Sequence, residues 1–445
     1  METAADRSRV EYTFRAEMTA TSRLPRVLVS AFACAPTWGS EVGMGWNWVT
    51  HLAKHCTLDV ITEKGFSEDI DRGVSKLSAE QQDNLSFHYV DIGPRARAQL
   101  WHQGDWRFYR HYRQWQQDAY RLAIRLLAEQ SFDLCHQLNM IGYREPGFLW
   151  KLPLPFIWGP VGGYTQMPWA FLPAMGWRGA AYHICRNSLN GLQAKYYRRP
   201  KLAARRASAV FAATPVDREA IERFYGVPCK VIGELGCSPY PRATDEGFRR
   251  FEATLRVAWV GRAVPGKCLP LALTAVQQAS KLVKLELHVV GDGAGFVQAR
   301  QLADKIGITT ICNWHGALPH DEALKVIDGC DCMLFSSVQD ATSTVVMEAL
   351  MTGLPVICHD ACGFGAVIDE TCGIKVPLVS PSFSKQALAG ALIQLGTDSS
   401  RLTRLRQGAI ARANELAWDK KAQMVVGVYS DVLTRMHGGS ASQVA

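Results

Sequence analysis

The sequence lacks long hydrophobic runs, because no stretch reaches the roughly 18 apolar residues that a membrane-spanning helix requires. It also lacks a secretory hydrophobic region after Met1 and any CxxC spacing among its 13 Cys. These absences argue against a transmembrane protein, a disulfide framework and a structural zinc site. We therefore predict reduced thiols, a cytoplasmic location and no metal site.

Acidic residues are missing from one part of the chain. Residues 177–206 carry eight Lys or Arg and no Asp or Glu, and this local excess equals the net charge of +8 of the whole chain. A second basic segment, residues 94–125, has seven Arg against two Asp. Aromatic residues are interleaved with these Arg: Trp101, Trp106, Phe108, Tyr109, Tyr112 and Trp115.

Two partners suit such a basic and aromatic surface. Anionic lipid headgroups attract Lys and Arg while aromatic rings settle at the interface, and single-stranded nucleic acid uses the same residue types. No RNA-binding motif accompanies the two segments, so we expect an anionic membrane surface and no nucleic acid. This favours a peripheral position on the inner face of the cell membrane. A solvated helix face with buried aromatic rings is the alternative interpretation.

The length and pattern of the chain predict two α/β domains. Its 445 residues exceed what one hydrophobic core usually holds. Short β-branched runs alternate with helical periodicity in both halves, which predicts parallel, doubly wound sheets. The predicted boundaries are a disordered leader at 1–24, an N-terminal domain at 25–238, a linker at 239–250, a C-terminal domain at 251–420 and a final helix with its tail at 421–445.

A pair of cations follows the first predicted strand of the second half. The strand at 256–260 delivers Gly261 and Arg262 into a loop, and Lys267 follows at the start of a helix. Arg chelates two phosphate oxygens, Lys adds a point charge, and a helix N-terminus presents free amides. The pattern predicts a diphosphate site, with a chance pair of solvated cations as the alternative.

Two acidic residues flank another predicted helix start. Asp340 and Glu348 are separated by a segment whose small polar run includes Thr342, Ser343 and Thr344. Such a run caps a helix and leaves its first amides free to bind an anion. Glu348 should lie about 7 Å beyond the helix start, which suits a phosphate bound between a sugar and a ribose. An ordinary amphipathic helix with one exposed Glu is the alternative.

These segments resemble the retaining nucleotide-sugar glycosyltransferases of family 4, which have the GT-B fold. The resemblance implies two Rossmann-like domains facing a central cleft, with a last helix that crosses back to the first domain. The donor contacts that it implies are the diphosphate at Arg262 and Lys267 and at the backbone near Thr342, Ser343 and Thr344, the sugar at Asp340, the ribose at Glu348, and the nucleobase at Gly316 to Leu318.

The sequence departs from the family pattern at two positions. The first acid of the pair is normally Glu, and Asp340 is one methylene shorter. Ser343 stands where the family usually has Gly. Both departures bear on how the donor sugar is selected.

Loops after strands of the first half supply further candidates, because ligands bind at the carboxyl ends of parallel strands. These segments, among them GSEVGMGWNW, resemble an exopolysaccharide-type bacterial branch of family 4. By this resemblance, a glycine-bearing loop with Gly39 and Gly43 reaches the donor phosphates, and His136 contacts the reacting sugar. A hydrogen-bonded packing histidine is the alternative for His136. The acceptor candidates are Glu41, Asn139, Gly162 and Gly163.

The resemblance predicts a retaining hexosyltransferase that uses a UDP- or GDP-sugar and needs no cofactor or metal. The expected acceptor is a glycan or a polyprenyl-diphosphate-linked glycan at the cytoplasmic membrane face. Two other classes stay open. A nucleotide-sugar 2-epimerase of the same architecture would act on the donor without an acceptor. A non-catalytic protein that binds lipid or nucleic acid would explain the basic segments but leave the phosphate loops without a role.

Overall fold

The computed structural model describes residues 23–36, 39–99, 106–240 and 254–441. Most of the predicted leader at 1–24, most of the predicted linker at 239–250 and the end of the predicted tail lie outside these residues. Trp101, in the first basic segment, also lies outside them.

The first sheet confirms the predicted parallel α/β architecture. Within the described residues it has seven strands in the order β3-β2-β1-β4-β5-β6-β7, and every neighbouring pair is parallel. The central strands are buried on both faces, where Val, Leu and Ile contribute to the core, as parallel sheets covered by helices require. The strands are β1 (Arg26–Ala31), β2 (Thr57–Glu63), β3 (Leu85–Val90), β4 (Leu134–Asn139), β5 (Phe156–Val161), β6 (Ala209–Ala212) and β7 (Lys230–Val231).

The second sheet repeats this arrangement. Its six strands in the described chain run in the order β10-β9-β8-β11-β12-β13 and are all parallel. The strands are β8 (Leu255–Val260), β9 (Leu285–Val290), β10 (Cys312–Gly316), β11 (Cys332–Phe335), β12 (Val356–His359) and β13 (Gly373–Val376). Two such sheets, each with crossover helices, give two Rossmann-like domains.

Helices cover both sheets. In the first domain they are α1 (Ser40–Leu52), α2 (Ser67–Val74), α3 (Ala79–Asp83), α4 (Pro94–Gln99), α5 (Trp106–Glu129), α6 (Gly176–Tyr196), α7 (Arg198–Arg206) and α8 (Pro215–Tyr225). In the second they are α9 (Leu269–Ala279), α10 (Phe296–Lys305), α11 (His320–Asp328), α12 (Thr344–Met351), α13 (Cys362–Val367), α14 (Pro381–Thr397), α15 (Ser399–Glu415) and α16 (Trp418–Ala441).

Contacts at several places join the two domains in the described part of the chain. The last helix, α16, packs on α1, where the rings of Trp418 and Trp48 meet edge to face at 5.4 Å. A small apolar cluster then links the segment before α6 to the second domain, with Phe171 and Leu172 against Val338. The last described helix thus returns to the first domain, so α16 holds that domain in a defined position beside the second.

The described residues also bear on the absences noted in the sequence. All 13 Cys are free thiols. Within the described ranges, no helix is long and apolar enough to cross a membrane. Among the same residues, no three His, Cys, Asp or Glu side chains come together in a group that could hold a metal ion.

Candidate active site

Loops that follow the strands of the two sheets meet between the domains. The Gln339 side chain, after β11, donates a hydrogen bond to the carbonyl of Thr165, after β5, at 3.1 Å. Carboxyl ends of parallel strands are where open α/β sheets bind ligands. The region between these loops is therefore the candidate site.

Buried polar contacts fix the backbone of Lys267. The Trp259 indole in β8 donates to the Ser336 hydroxyl at 3.0 Å, and this hydroxyl donates to the Lys267 carbonyl at 2.8 Å. Ser336 follows β11, so the loops after two adjacent strands are tied together. This arrangement sets the direction in which the lysine side chain leaves the chain.

The Lys267 ammonium joins the two segments that the sequence singled out. It lies 2.5 Å from a carboxylate oxygen of Asp340 and 3.3 Å from the Ser343 hydroxyl. It also lies 4.8 Å from the ring centroid of Phe335, where the face of the ring attracts a cation. The side chain is 19% exposed. The structure therefore places a fixed, partly buried positive charge directly before α12.

The start of α12 is arranged to bind an anion. Ser343 precedes the helix with φ +78°, and no described side chain caps the first turn. Thr344 is the first helical residue. Free amides at a helix start attract negative charge, and the Lys267 ammonium lies beside them. A phosphate bound here would contact both.

Ser343 occupies a backbone conformation that favours glycine. Its φ of +78° strains any residue with a Cβ, which gives a physical reason for the glycine that the resembled family usually has at this position.

We predict that Ser343→Gly raises the free energy of unfolding by about 1 kcal/mol, because glycine relieves this strain. Urea denaturation measures the change. Ser343→Ala is the control, since it removes the hydroxyl contact with Lys267 but keeps the strain and should give no gain. An equal gain in both variants would contradict this explanation.

Glu348, the second acid of the predicted pair, lies within α12. Its carboxylate accepts a hydrogen bond from His320, the first residue of α11, at 3.1 Å, and 17% of the Glu348 side chain is exposed. This bond raises the pKa of His320. His320 was not among the predicted site residues. Its place directly after the glycine-bearing strand end at Gly316 was the available signal.

His320 should therefore stay protonated to a higher pH than an ordinary histidine. We predict that its NMR titration midpoint in the folded protein lies above the usual value and falls in Glu348→Gln, where the carboxylate is lost. An unchanged His320 midpoint in the variant would show that Glu348 does not set it.

The other donor-side candidates lie on neighbouring loops. Gly261 directly follows β8 with φ +154°, and its amide donates to the Val290 carbonyl at 3.0 Å. Arg262 follows it in an exposed position on the loop that leads to Lys267. Gly316 ends β10 with φ +71°, and Leu318 lies half-buried two residues later. The contacts predicted for these four residues with a donor remain predictions.

Thr342 requires a correction. Its amide and hydroxyl both donate to the buried carboxylate of Glu234, at 2.7 and 3.0 Å. These groups are occupied within the protein, so Thr342 anchors the loop instead of binding the donor. Glu234 lies after β7, in the segment between the domains, and was missed. The sequence signal that distinguishes Glu234 is a single acid in an otherwise apolar run.

Glu234 faces a buried cation on the last helix. The Lys421 ammonium donates to the Gly233 carbonyl at 2.8 Å, and only 6% of this residue is exposed. Burial lowers the pKa of Lys421 to about 8, against the pull of the Glu234 charge. Burial likewise raises the pKa of Glu234. The Thr342 loop is thus held by Glu234, and the charge of Lys421 in α16 acts on this buried carboxylate.

Three acceptor candidates meet around Ile141. The amide of Ile141 donates to the Glu41 carboxylate at 2.5 Å, and the amide of Gly162 donates to the Ile141 carbonyl at 2.7 Å. Gly163 follows with φ +96°. Burial raises the pKa of Glu41 to about 7, reinforced by the Glu234 charge and opposed by the Ile141 hydrogen bond.

The two glycines of the first loop differ in their surroundings. Gly39 directly precedes α1, and a Cβ built there meets nothing within 4 Å. Gly43 lies inside α1 and is buried, with its carbonyl accepting a hydrogen bond from Asn47 at 2.8 Å. Because the helix starts at Ser40, Gly43 is not part of the loop. The prediction that Gly43 contacts the donor phosphates is therefore wrong, since this glycine is buried within the helix.

His136 is also corrected. It lies within β4, which ends at Asn139, and not at the strand end. One ring nitrogen lies 2.5 Å from the Tyr429 hydroxyl of α16 and the other 2.7 Å from the Gly159 carbonyl. Burial lowers its pKa to about 4. With both nitrogens occupied and the ring buried, His136 is a packing residue and has no atom free for a sugar.

Asn139 is not an acceptor contact either. Its side-chain amide donates to the Ala33 carbonyl at 2.7 Å, while its side-chain oxygen accepts from the Ala33 amide at 3.3 Å. The residue is 1% exposed. Asn139 therefore braces the loop after β1, behind Glu41.

The first basic segment fits the alternative interpretation. The aromatic rings of α5 that lie in the core are Phe108, Tyr112 and Trp115. The cations that pair with carboxylates are Arg97 with Glu63 at 2.8 Å, Arg113 with Glu145 at 2.5 Å and Arg121 with Asp118 at 2.5 Å. Three rings are therefore used inside the fold, whereas Tyr109 and several Arg of α5 are exposed, so a membrane surface on this segment stays a prediction.

The geometry of the second domain agrees with a family match. The family model described as glycosyl transferases group 1 matches residues 244–412. The match covers less than half of the chain, so it shows a similarity of these residues to that family. The matched residues include Gly261, Lys267, Asp340 and Glu348.

Several curated proteins are similar to part of the chain. They include D-inositol 3-phosphate glycosyltransferases of Streptomyces bingchenggensis, 25% identical over 251 residues (51% of this chain, 53% of the relative), and of Nocardia farcinica, 28% identical over 197 residues (42% of each). The chain thus spans about half the length of these relatives: 53% of the Streptomyces protein and 42% of the Nocardia protein.

Solved structures are similar to the chain beyond the residues that the family model matches. HepE of Anabaena in complex with UDP has a TM-score of 0.58 at 14% identity, covering 92% of this chain and 100% of HepE. Sucrose-phosphate synthase of Thermosynechococcus elongatus has a TM-score of 0.63 at 16% identity, with 92% and 100% covered. At these identities the likeness concerns the fold alone, which is the two-domain GT-B arrangement.

Proposed function

We propose that the protein is a retaining glycosyltransferase of the family 4 type that moves a hexose from a UDP- or GDP-sugar. One observation carries the proposal. The Lys267 ammonium lies against both Asp340 and Ser343 at the start of α12, the helix that also presents Glu348. A diphosphate needs a cation and free amides, and its sugar and ribose need acids on either side.

The proposed reaction proceeds at the front face of the donor sugar. The bond between the anomeric carbon and the diphosphate breaks, the acceptor hydroxyl oxygen bonds to that carbon, and its proton passes to a phosphate oxygen of the leaving group. Lys267, Arg262 and the first amides of α12 stabilise the negative charge that develops on the diphosphate. These fixed charges serve in place of a metal ion, so none is required.

On the acceptor side we propose the rim formed by Glu41, Gly162 and Gly163. Glu41 is half-buried beside the Gly162 loop, and its pKa of about 7 lets it exist in either protonation state near neutral pH. A carboxyl in this position can bind an acceptor hydroxyl. The proposed acceptor is a glycan, free or linked to polyprenyl diphosphate, at the cytoplasmic membrane face, in an exopolysaccharide-type pathway.

A transfer assay tests the proposal. The purified protein is incubated with UDP-, GDP- and ADP-sugars, starting with UDP-glucose because HepE has been solved with it. The acceptor arms are a bacterial lipid extract and inositol 3-phosphate, the acceptor named in the similar proteins. We expect a glycolipid whose new linkage keeps the anomeric configuration of the donor, as read by NMR.

The other outcomes of this assay are informative. Inverted configuration would overturn the retaining mechanism. Conversion of the donor to an epimer without any acceptor would replace the proposal with a 2-epimerase. Transfer to inositol 3-phosphate but not to lipid would keep the transferase and overturn the proposed acceptor.

A further inference from the structure

Helix α6 packs its polar face against the protein and exposes its apolar face, which is the reverse of the usual arrangement of a surface helix. The side chains buried against the protein are mostly polar, namely His183, Asn187, Asn190 and Ala194. The side-chain oxygen of Asn187 accepts from the Met167 amide at 3.1 Å, and its nitrogen donates to the Met167 carbonyl at 2.8 Å. Asn190 accepts from the Tyr143 hydroxyl at 2.9 Å. The polar inner face is therefore explained, since it satisfies backbone and side-chain groups of the segments beside the Gly162 loop.

The outer face of α6 carries an apolar stripe. Residues spaced alternately by four and three positions share one side of a helix. The exposed residues with this spacing are Tyr182 (63% exposed), Cys185, Leu189 (51%), Leu192 (55%) and Tyr196 (64%). Trp177, at the start of the helix, is 77% exposed. Exposed apolar side chains in a continuous row, unlike scattered ones, mark a contact surface.

The charge around this stripe has one sign. Arg178, Arg186 and Lys195 lie exposed on the same helix, and further Arg and Lys follow on α7. From residue 146 to residue 216 the sequence contains no Asp or Glu. Arg178 and Lys195 each lie over a neighbouring aromatic ring, Trp177 and Tyr196, at 5.1 and 5.0 Å. An apolar row flanked by cations is the pattern of a helix lying in a membrane interface.

We propose that the outer face of α6 docks on an anionic lipid bilayer. A second copy of the chain is the less favoured occupant, because two surfaces without a single acid would repel each other. Single-stranded nucleic acid is also less favoured, because it stacks its bases on aromatic rings and the centre of the stripe is Cys185, Leu189 and Leu192.

Docking at this face would bring the candidate site close to the lipid. The inner face of α6 holds the backbone at Met167, and the segment before α6 packs on Val338 beside the donor loop. This link to a lipid-borne acceptor rests on the proposed function, whereas binding to a bilayer does not.

Vesicle sedimentation without any nucleotide sugar tests the docking. The vesicles are phosphatidylcholine alone, or phosphatidylcholine with about a third phosphatidylglycerol. The full-length protein is compared with a variant that combines Tyr182→Ser, Leu189→Ser and Leu192→Ser. The matched control combines Leu282→Ser and Val297→Ser. These two positions lie on the second domain and are also exposed, at 73% and 63%. Circular dichroism checks that all three proteins are folded.

We expect the full-length protein and the control to bind the anionic vesicles at least about tenfold more tightly than the neutral ones, and the stripe variant to lose this binding by about tenfold or more. Equal binding by the stripe variant, or no binding by the full-length protein, would overturn the proposal. So would a dimer in sedimentation, or tight binding of a single-stranded RNA oligonucleotide, that the stripe variant abolishes.

Cys185 gives an independent measurement that does not depend on a destabilising variant. It lies exposed in the middle of the stripe, so a polarity-sensitive maleimide fluorophore can be attached there. We expect a blue shift on adding anionic vesicles, and none in labelled Cys185→Ser. An unshifted spectrum would contradict docking through α6. If vesicles bind but no nucleotide sugar does, the docking stands and the proposed transferase fails.

Discussion

Lys267→Met is expected to lower kcat/KM for sugar transfer by about 10²–10³. This is the usual effect of removing one preorganised protein group that stabilises charge developing in the transition state. Lys267 is held by Asp340 at 2.5 Å and by Ser343 at 3.3 Å, at the start of α12. Its position is therefore set before a donor arrives. Methionine keeps most of the side-chain volume, so the loss reports the charge. Initial rates with the preferred donor measure the change.

Lys54→Met is the matched control for this experiment. Lys54 makes a similar ion pair, with Asp419 at 2.6 Å, but it follows the carboxyl end of α1, whereas the candidate site lies at the amino end of that helix. This control should keep its activity. A rate for Lys267→Met within about twofold of the wild type would remove Lys267 from the proposed site.

Lys421→Met is expected to lower the free energy of unfolding by about 1–3 kcal/mol, because it removes the buried donor to the Gly233 carbonyl and a positive charge that acts on the buried Glu234 carboxylate. Combining it with Glu234→Gln should restore much of the loss. The glutamine can still accept from the Thr342 amide, which Glu234 contacts at 2.7 Å. Urea denaturation of the single and double variants measures both effects.

The pH dependence of stability gives a second measure of the same pair. Burial lowers the pKa of Lys421 from its usual 10.5 to about 8 in the folded protein. Between these values the unfolded chain binds the proton and the folded protein has released it. The contribution of Lys421 to the free energy of unfolding therefore rises as pH increases from about 8 toward 10.5, and this rise should be absent in Lys421→Met.

Lys420→Met separates this effect from a general change in α16, since Lys420 is the exposed neighbour on the same helix. It should alter stability by less than about 0.5 kcal/mol. A double variant as unstable as Lys421→Met alone would show that the Glu234 charge is not the cause.

Local patterns predicted the fold well and selected the loops that meet at the start of α12, because each of these features lies within a short stretch of sequence. β8, Gly261 and Lys267 form one strand, loop and helix, and the start of α12 is marked by the polar residues that precede it. Parallel strands then bring these loops to one edge of the sheet. The family match over residues 244–412 covers the same segments.

Predictions failed where the contacts of a residue come from distant parts of the chain. His136 bonds to Tyr429 of the last helix, and Thr342 bonds to Glu234 between the domains. Neither partner can be inferred from spacing. The two basic segments resembled each other in composition, yet three rings of α5 lie in the core whereas Trp177, Tyr182 and Tyr196 of α6 are exposed. Only the packing of each helix distinguishes them.

Isothermal titration calorimetry with UDP, GDP and ADP and with their sugars tests the central claim most directly, since the claim is that Lys267, the start of α12 and Glu348 bind a nucleotide-diphosphate sugar. We predict that at least one nucleotide binds the wild-type protein and that Lys267→Met and Glu348→Gln each weaken this binding by about tenfold or more. If no nucleotide or nucleotide sugar binds, or if both variants bind as tightly as the wild type, the account is contradicted.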